Sequence, residues 1–422
     1  MKINKLFYLI LLIYYGNASV VQDIDIIGNH HTKKHIIIRE IHHQFPGEYN
    51  STHAQEDRNR IYNLGLFSTV EIYKIDSTYT IFLVETFRFL PIPLLEYSES
   101  KGFSYGAGIS YLNFRGLNEK LLLGGMIGEE ETYFFNFHNP WVFGNHGSIQ
   151  GEIYHFSTES SVYNYQYKIK GFEIGTGYYS KGEKHRYNAV VGIQFFYLDS
   201  TLSNSNYYDL LIINEDYYSE FQYLVGELTY QFDTRNIYID PTSGQYFSAV
   251  FEPKFDYNNS SNYYSLFLTY KKYIQFSNII LDPVISLQTK LVIKFSDSFP
   301  IFAYEYLGGG GFVRGYTPVI QENPSEVQEY IEGFNILYQN FQIQHTLFKR
   351  KDYSGIEMGM DMVYFMDFGI SANSIRSFGN SNPIYGYGVG LRIFISGLGV
   401  ISLDMGFNPY GSWMLHPSDG NY

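Results

Sequence analysis

From about residue 91 to residue 408, apolar and polar positions alternate with a period of two. Phe103, Tyr105, Ala107, Ile109 and Tyr111 share one face; Ser104, Gly106, Gly108 and Ser110 share the other. Ile285, Leu287, Leu291, Ile293 and Phe295 alternate in the same way with Ser286, Gln288, Lys290 and Lys294. So do Met358, Met360, Met362, Tyr364, Met366 and Phe368 with Glu357, Gly359, Asp361, Phe365, Asp367 and Gly369. Ile401, Leu403, Met405 and Phe407 repeat the pattern against Ser402, Asp404, Gly406 and Asn408. A two-residue period is that of extended chain with unlike faces. It predicts fifteen strands, near 92–98, 102–112, 119–128, 131–138, 147–156, 167–179, 185–198, 221–232, 244–255, 262–275, 283–295, 335–347, 355–370, 385–396 and 399–408.

The polar face decides the class. A soluble sandwich would carry more Lys and Glu on it; here it is rich in Gly, Ser, Asn and Gln, as a wet lumen would be, and aromatics gather near strand ends. The expected fold is mostly β: a transmembrane antiparallel barrel of the 16-stranded type over 91–422, with about fifteen strands in this chain. Residues 409–422 hold Gly411, Pro417 and Gly420 and do not read as a strand. The final, closing strand is therefore expected to be missing, although an open sheet leaves backbone groups unpaired in lipid.

Residues 20–86 follow another rhythm. Val21–Ile27 reads as a strand, Thr32 as the cap of a helix running to about Ile41, and Phe45-Pro46-Gly47 as its break. Ser51 or Thr52 can cap a second helix, which Gly65 ends in a left-handed conformation. Val70–Ile75 and Thr80–Val84 then form a hairpin across Asp76-Ser77. The result is a small β-α-α-β-β module. Ahead of it, Lys2 and Lys5, the apolar run Leu6–Tyr15 and a cut after Ala18 have the grammar of a secretory leader, placed at 1–18.

Composition agrees. Of 422 residues, 43 are Tyr, 35 Phe and 2 Trp, while charged residues make up only 17%, against roughly 25% in ordinary soluble domains. Beyond the leader no apolar run approaches the roughly 18 residues of a membrane helix. The formal charge of -13 argues against a nucleic-acid partner, and the absence of Cys excludes disulfides and thiolate metal sites. His31 and His35 have helical i,i+4 spacing, but without HExxH or a supporting carboxylate they read as solvated, and no metal or other cofactor is expected. Gly102-Phe103-Ser104-Tyr105-Gly106 fits the G-x-S-x-G pattern; that motif needs a strand-turn-helix setting, and here it sits inside a period-two run. Glu129-Glu130-Glu131 reads as a solvated hairpin tip. No enzymatic chemistry is expected.

One loop is more specific. Gly308-Gly309-Gly310-Gly311-Phe312-Val313-Arg314-Gly315-Tyr316 lies between the eleventh and twelfth strands. It resembles the Val-Arg-Gly-Phe/Tyr loop of the BamA-type outer-membrane assembly superfamily, which includes two-partner secretion transporters. Asn63-Leu64-Gly65-Leu66-Phe67-Ser68-Thr69-Val70 resembles the turn from second helix to second strand of a POTRA module. Asn139-Pro140-Trp141 resembles an early barrel landmark of the family. Phe232-Asp233-Thr234-Arg235 followed by Pro241-Thr242-Ser243-Gly244 resembles its central hairpin. The resemblance runs in order along the whole mature chain.

It implies a periplasmic POTRA, here a single one over 20–86, followed by an outer-membrane barrel of a bacterial surface antigen type. The glycines let the loop fold tightly into a confined lumen, where a buried cation needs a carboxylate. In the family that arginine meets an acid at the position of Asp367; a second family acid on the twelfth strand is replaced by Gln342. Arg314 is therefore expected to pair with Asp367 and to hydrogen-bond Gln342 or Gln344. The function implied is insertion or translocation of β-rich client proteins at the outer membrane. Its partners are lipid, unfolded barrel or secreted clients, and accessory periplasmic or lipoprotein subunits. A dedicated secretion transporter, a passive pore or receptor, and a barrel stub acting as a surface antigen are the alternatives.

Overall fold

The computed structural model describes residues 20–98, 102–128, 131–159, 166–180, 182–199, 220–277, 282–296, 299–316, 332–354, 356–396 and 398–418. The leader expected at 1–18 and two residues of the acidic run, Glu129 and Glu130, lie outside them.

The N-terminal module comprises β1 (Val20–Val21), β2 (Asp23–Ile27), α1 (Lys34–Ile38), β3 (Gly47–Glu48), α2 (Ser51–Asn63), β4 (Phe67–Ile75) and β5 (Thr78–Glu85). Its main sheet has the order β2-β5-β4, with β2 parallel to β5 and β4 antiparallel. The helix starts differ from the expected ones. Lys33 precedes α1 without a side-chain cap, and Asn50 caps α2 by accepting from the Thr52 and His53 amides. The Thr32 hydroxyl instead accepts from Asn113 Nδ2 at 2.9 Å, which binds it to a barrel turn. Gly65 is left-handed, φ +71°. Asp57 is buried and gathers the amides of His42 and His43 and the Tyr79 hydroxyl, with Arg60 as its counter-charge.

Among the described residues, sixteen strands of the remaining chain form one antiparallel sheet. It runs through β6 (Phe89–Ser98), β7 (Gly102–Phe114), β8 (Glu119–Gly128), β9 (Thr132–Asn139), β10 (Gly147–Glu159), β11 (Gln166–Tyr179), β12 (His185–Asp199) and β13 (Glu220–Asp233). It continues through β14 (Gly244–Asp256), β15 (Tyr263–Gln275), β16 (Val284–Phe295), β19 (Asn335–Tyr353), β20 (Ile356–Ala372), β21 (Ile384–Ile395), β22 (Gly399–Phe407) and β23 (Trp413–Ser418). Two-residue strands β17 (Glu305–Tyr306) and β18 (Glu332–Gly333) pair within the long connection from β16 to β19. The expectation that the last strand is missing is overturned. β23 pairs with β22 from Phe407↔Trp413 to Ser402↔Ser418. Pro417 hid it: a proline is excluded from a central strand but allowed at an edge.

Exposure is inverted relative to a soluble protein. On β21, Tyr385, Tyr387, Val389 and Leu391 are exposed while Ile384, Gly386, Gly390 and Arg392 are buried. On β20, Tyr364, Met366 and Phe368 face out and Asp361, Val363, Phe365 and Asp367 face in. An apolar exterior around a polar interior suits lipid outside and water inside. Residues Gly102–Gly106 all lie in β7, so the serine motif has no nucleophile elbow.

The module shows that the sheet is curled. The Lys33 amide donates to Gly116 O at 3.0 Å on the β7–β8 turn, and His31 Nε2 to Asn113 O at 3.0 Å at the end of β7 beside it. The Arg39 guanidinium lies 3.9 Å over Trp141, on the β9–β10 turn. Asn63 bonds Asn236 O and the Tyr238 amide on the β13–β14 turn. The Tyr62 hydroxyl donates to Glu357 of β20 and accepts from Arg350 of β19, which also pairs with Asp240. Thr86 meets Ser396 beyond β21. In a flat sheet the first and last of these turns would be twelve strand spacings apart, roughly 58 Å at about 4.8 Å each. A body of 65 residues is only about 25–30 Å across. One module touching them all requires a cylinder, with the module over its mouth.

Glu40 sits at this junction, 2% exposed, with Oε1 unpartnered and Glu183 nearby. Burial first, and Glu183 second, push its carboxyl up to about 8, against the opposing pull of Arg60, Arg39 and Arg186. The folded state therefore holds a proton that the unfolded chain releases near the ordinary carboxylate value. The part of the stability that Glu40 controls falls as pH rises between about 4.5 and 8, then levels. Glu40→Gln is expected to flatten that fall and to melt higher than the natural protein at pH 9; melting profiles in detergent over pH 5–9 that run parallel would refute this.

Candidate functional site

The connection from β16 to β19 turns back into the cylinder. Its tip is tight: the Gly309 amide donates to Val313 O at 3.0 Å and the Val313 amide to Leu307 O at 2.9 Å. Gly309 stands at φ +103°, open to glycine at little cost. Leu307, Val313 and Tyr316 then pack with Val292, Ile336, Tyr338 and Ile384 as an apolar foot on the lumen wall.

That foot delivers Arg314, 1% exposed, to two carboxylates that are both fully buried. Arg314 Nε and Nη2 donate to the two oxygens of Asp367 at 2.7 and 2.8 Å, and its own amide donates to Asp367 at 3.1 Å. Tyr338 and Asn340 of β19 complete the shell of Asp367 at 3.0 and 2.6 Å. Nη1 donates to Asp404 of β22 at 2.9 Å. Asp404 is shared with Arg392 of β21 at 2.5 Å, so two cations and two anions compensate one another in a site without bulk water. The Phe365 ring lies 3.4 Å beneath the guanidinium.

The wall is shaped for the loop by missing side chains. A Cβ on Gly386 would stand 1.9 Å from Arg314 O, and one on Gly406 would stand 2.4 Å from the Gly315 amide. Gly315 itself is at φ +93° against the Phe407 backbone. The loop also reaches the last strand: the Gly315 amide donates to His416 Nε2 at 2.9 Å, and Asn408 Nδ2 donates to Gly315 O at 2.8 Å. Tyr316 donates to Tyr385 O at 3.1 Å.

Val313, Arg314, Gly315, Tyr316 and Asp367 are thus brought together. Of the four glycines, Gly308 bridges to Val313, Gly309 makes the turn, and Gly311 has nothing within 4 Å of its would-be Cβ. The glutamines are placed otherwise than expected. Gln342 donates to Asn340, so it braces a neighbour of Asp367, and Gln344 donates to Asp361 and Asp240 nearer the module. The second anionic partner of Arg314 is Asp404, because a neutral amide cannot offset a buried charge. Asp404 was legible as an acid on the lumen-facing register of its strand, and the Gly386-Gly388-Gly390 alternation as a smooth wall. His416 lay in the tail that did not read as a strand.

The other landmarks converge on the junction. Asn63 bonds the turn that follows Asp233 and Arg235, and Trp141 carries Arg39. Arg235 pairs with Asp233 at 2.7 Å and fixes that turn.

Residues 113–411 match the family model of the Omp85 superfamily domain, and residues 19–85 match the POTRA model described as surface antigen variable number repeat. No curated protein matches the chain. Among solved structures, BamA from Haemophilus ducreyi lacking POTRA domains 1-3 aligns with a TM-score of 0.57 at 18% identity, covering 93% of this chain and 82% of that one. CdiB from Escherichia coli aligns with a TM-score of 0.53 at 13% identity, covering 95% and 75%. At these identities the likeness is one of fold.

Proposed function

The chain belongs to the Omp85 superfamily, and from that premise we propose that it inserts β-rich client proteins into the outer membrane through the seam between β6 and β23. As a member with a POTRA domain it is a non-enzymatic outer-membrane barrel protein, with that domain in the periplasm, and acts at family level in protein insertion or translocation. Insertion, the narrower role, rests on one observation: among the described residues no ladder joins β23 to β6, although every other neighbouring pair in the sheet is laddered. Unpaired strand edges take up extended chain readily. The lumen offers a poorer route, since the loop lies on its wall and the module stands at its mouth.

The second reading, a dedicated secretion transporter, draws on a lumenal cavity of ≈ 480 Å³ lined by polar side chains including His138, Gln150, Arg186, Glu227 and Glu252. Depletion followed by outer-membrane proteomics separates the two. Insertion predicts the decline of many barrel proteins, a dedicated transporter the loss of one secreted protein, and a passive pore neither.

A further inference from the structure

Three prolines sit on the two strands of the seam, and ladder parity says which way their backbones face. The Leu112 amide donates to Arg88 O at 2.9 Å, one step before the β6–β7 register that begins at Phe89↔Tyr111. The Asn408 amide donates to Ser412 O at 3.1 Å, one step before the β22–β23 register. Hydrogen-bonded and non-bonded pairs alternate in an antiparallel ladder. Even-numbered residues of both strands therefore bond inward, and odd-numbered ones turn their backbone N and O to the free edge. On β6 those are residues 89, 91, 93, 95 and 97; on β23 they are 413, 415 and 417. Pro91 and Pro93 remove two donors from the first edge, and Pro417 removes one from the last.

All three belong to the same end of the seam. β6 leaves the POTRA at Phe89, and β23 returns toward it from the turn at 408–412, so Pro91, Pro93 and Pro417 lie in the periplasmic half. A proline edge gains less from pairing. It also loses less by standing open, because it leaves no orphan N–H in the membrane.

We propose that Pro91, Pro93 and Pro417 confine strand pairing at the seam to its outer half. An extended client strand then augments the sheet against residues 95–97 and 413–415, while the periplasmic half stays unlatched. The client part of this assignment rests on the insertion reading; the one-sided seam does not.

The chain has no native cysteine, so thiol bridging reads cleanly. Cysteine pairs at Tyr97 and Trp413, and at Leu90 and Ser418, report the outer and periplasmic halves in lipid nanodiscs without client. A short bifunctional thiol reagent is expected to bridge the outer pair roughly fivefold or more above the periplasmic pair, the ratio worth about one ladder bond. P91T/P93T/P417T is expected to raise the periplasmic pair to within about twofold of the outer one, and to slow barrel assembly in cells. P417T alone, which alters one edge, gives a partial shift should the triple variant fold poorly. Equal bridging in the natural protein, or an unchanged ratio in both variants, overturns the one-sided seam. A zipped seam with assembly at the natural rate overturns its link to client pairing, without bearing on whether depletion lowers other barrels.

Discussion

Arg314→Ala is expected to destabilise the barrel by about 3–5 kcal/mol, the range for removing one partner from a buried ion pair. The reason is what remains. Asp367 loses both side-chain bonds to the guanidinium, and Asp404 keeps only Arg392. Both acids stay fully buried. The loop also loses its hold on the wall, and with it the bonds from Gly315 to His416 and Asn408 that tie it to the end of the sheet. Arg314→Lys keeps the charge but not the fork, and is expected to fall between the two. The temperature at which the folded form disappears on gels measures the effect. An alanine variant that melts with the natural protein and supports normal growth would remove the site from the account.

A single methyl group is expected to do nearly as much. Gly386→Ala places a Cβ 1.9 Å from the Arg314 carbonyl oxygen, a backbone atom held from both sides and unable to yield. The loop must lift, and Arg314 leaves its acids. The loss should approach that of Arg314→Ala, about 3–5 kcal/mol, and the double variant should be little worse than either single one, because both remove the same contact. Gly379→Ala is the control: nothing lies within 4 Å of its Cβ position, and no change in melting is expected. Additive losses in the double variant would show that Gly386 matters for another reason.

Both predictions depend on a site only half of which was legible beforehand. The glycine-flanked Arg314 and Asp367 could be paired through resemblance and the alternation of β20. Asp404 and Gly386 lie on strands far along the chain, and nothing local brings them to residue 314. The glutamine expectation failed because it followed sequence position within the twelfth strand, whereas the arginine fork reaches past Asp367 to β22. The His31–His35 pair shows the same limit: without a supporting motif the two read as solvated, and only docking put His31 against Asn113.

The chain's own order of residues determined the barrel. A two-residue period with an apolar face and a Gly, Ser and Asn face permits one arrangement in lipid, greasy side out, since backbone groups left unpaired in hydrocarbon are costly and a curled sheet leaves few of them. It also determined the α+β module and the loop able to enter the lumen. Tertiary structure decided the sixteenth strand, the second acid and the junction. Pro417 reads as a break until the edge position of β23 makes its missing donor harmless. Asp404 becomes a partner only when the sheet curls and carries β22 beneath the loop. The POTRA meets five separate regions of the barrel's periplasmic end because closure brings them within reach of one small domain. Local pattern sets which face a residue takes; curvature sets what stands opposite it.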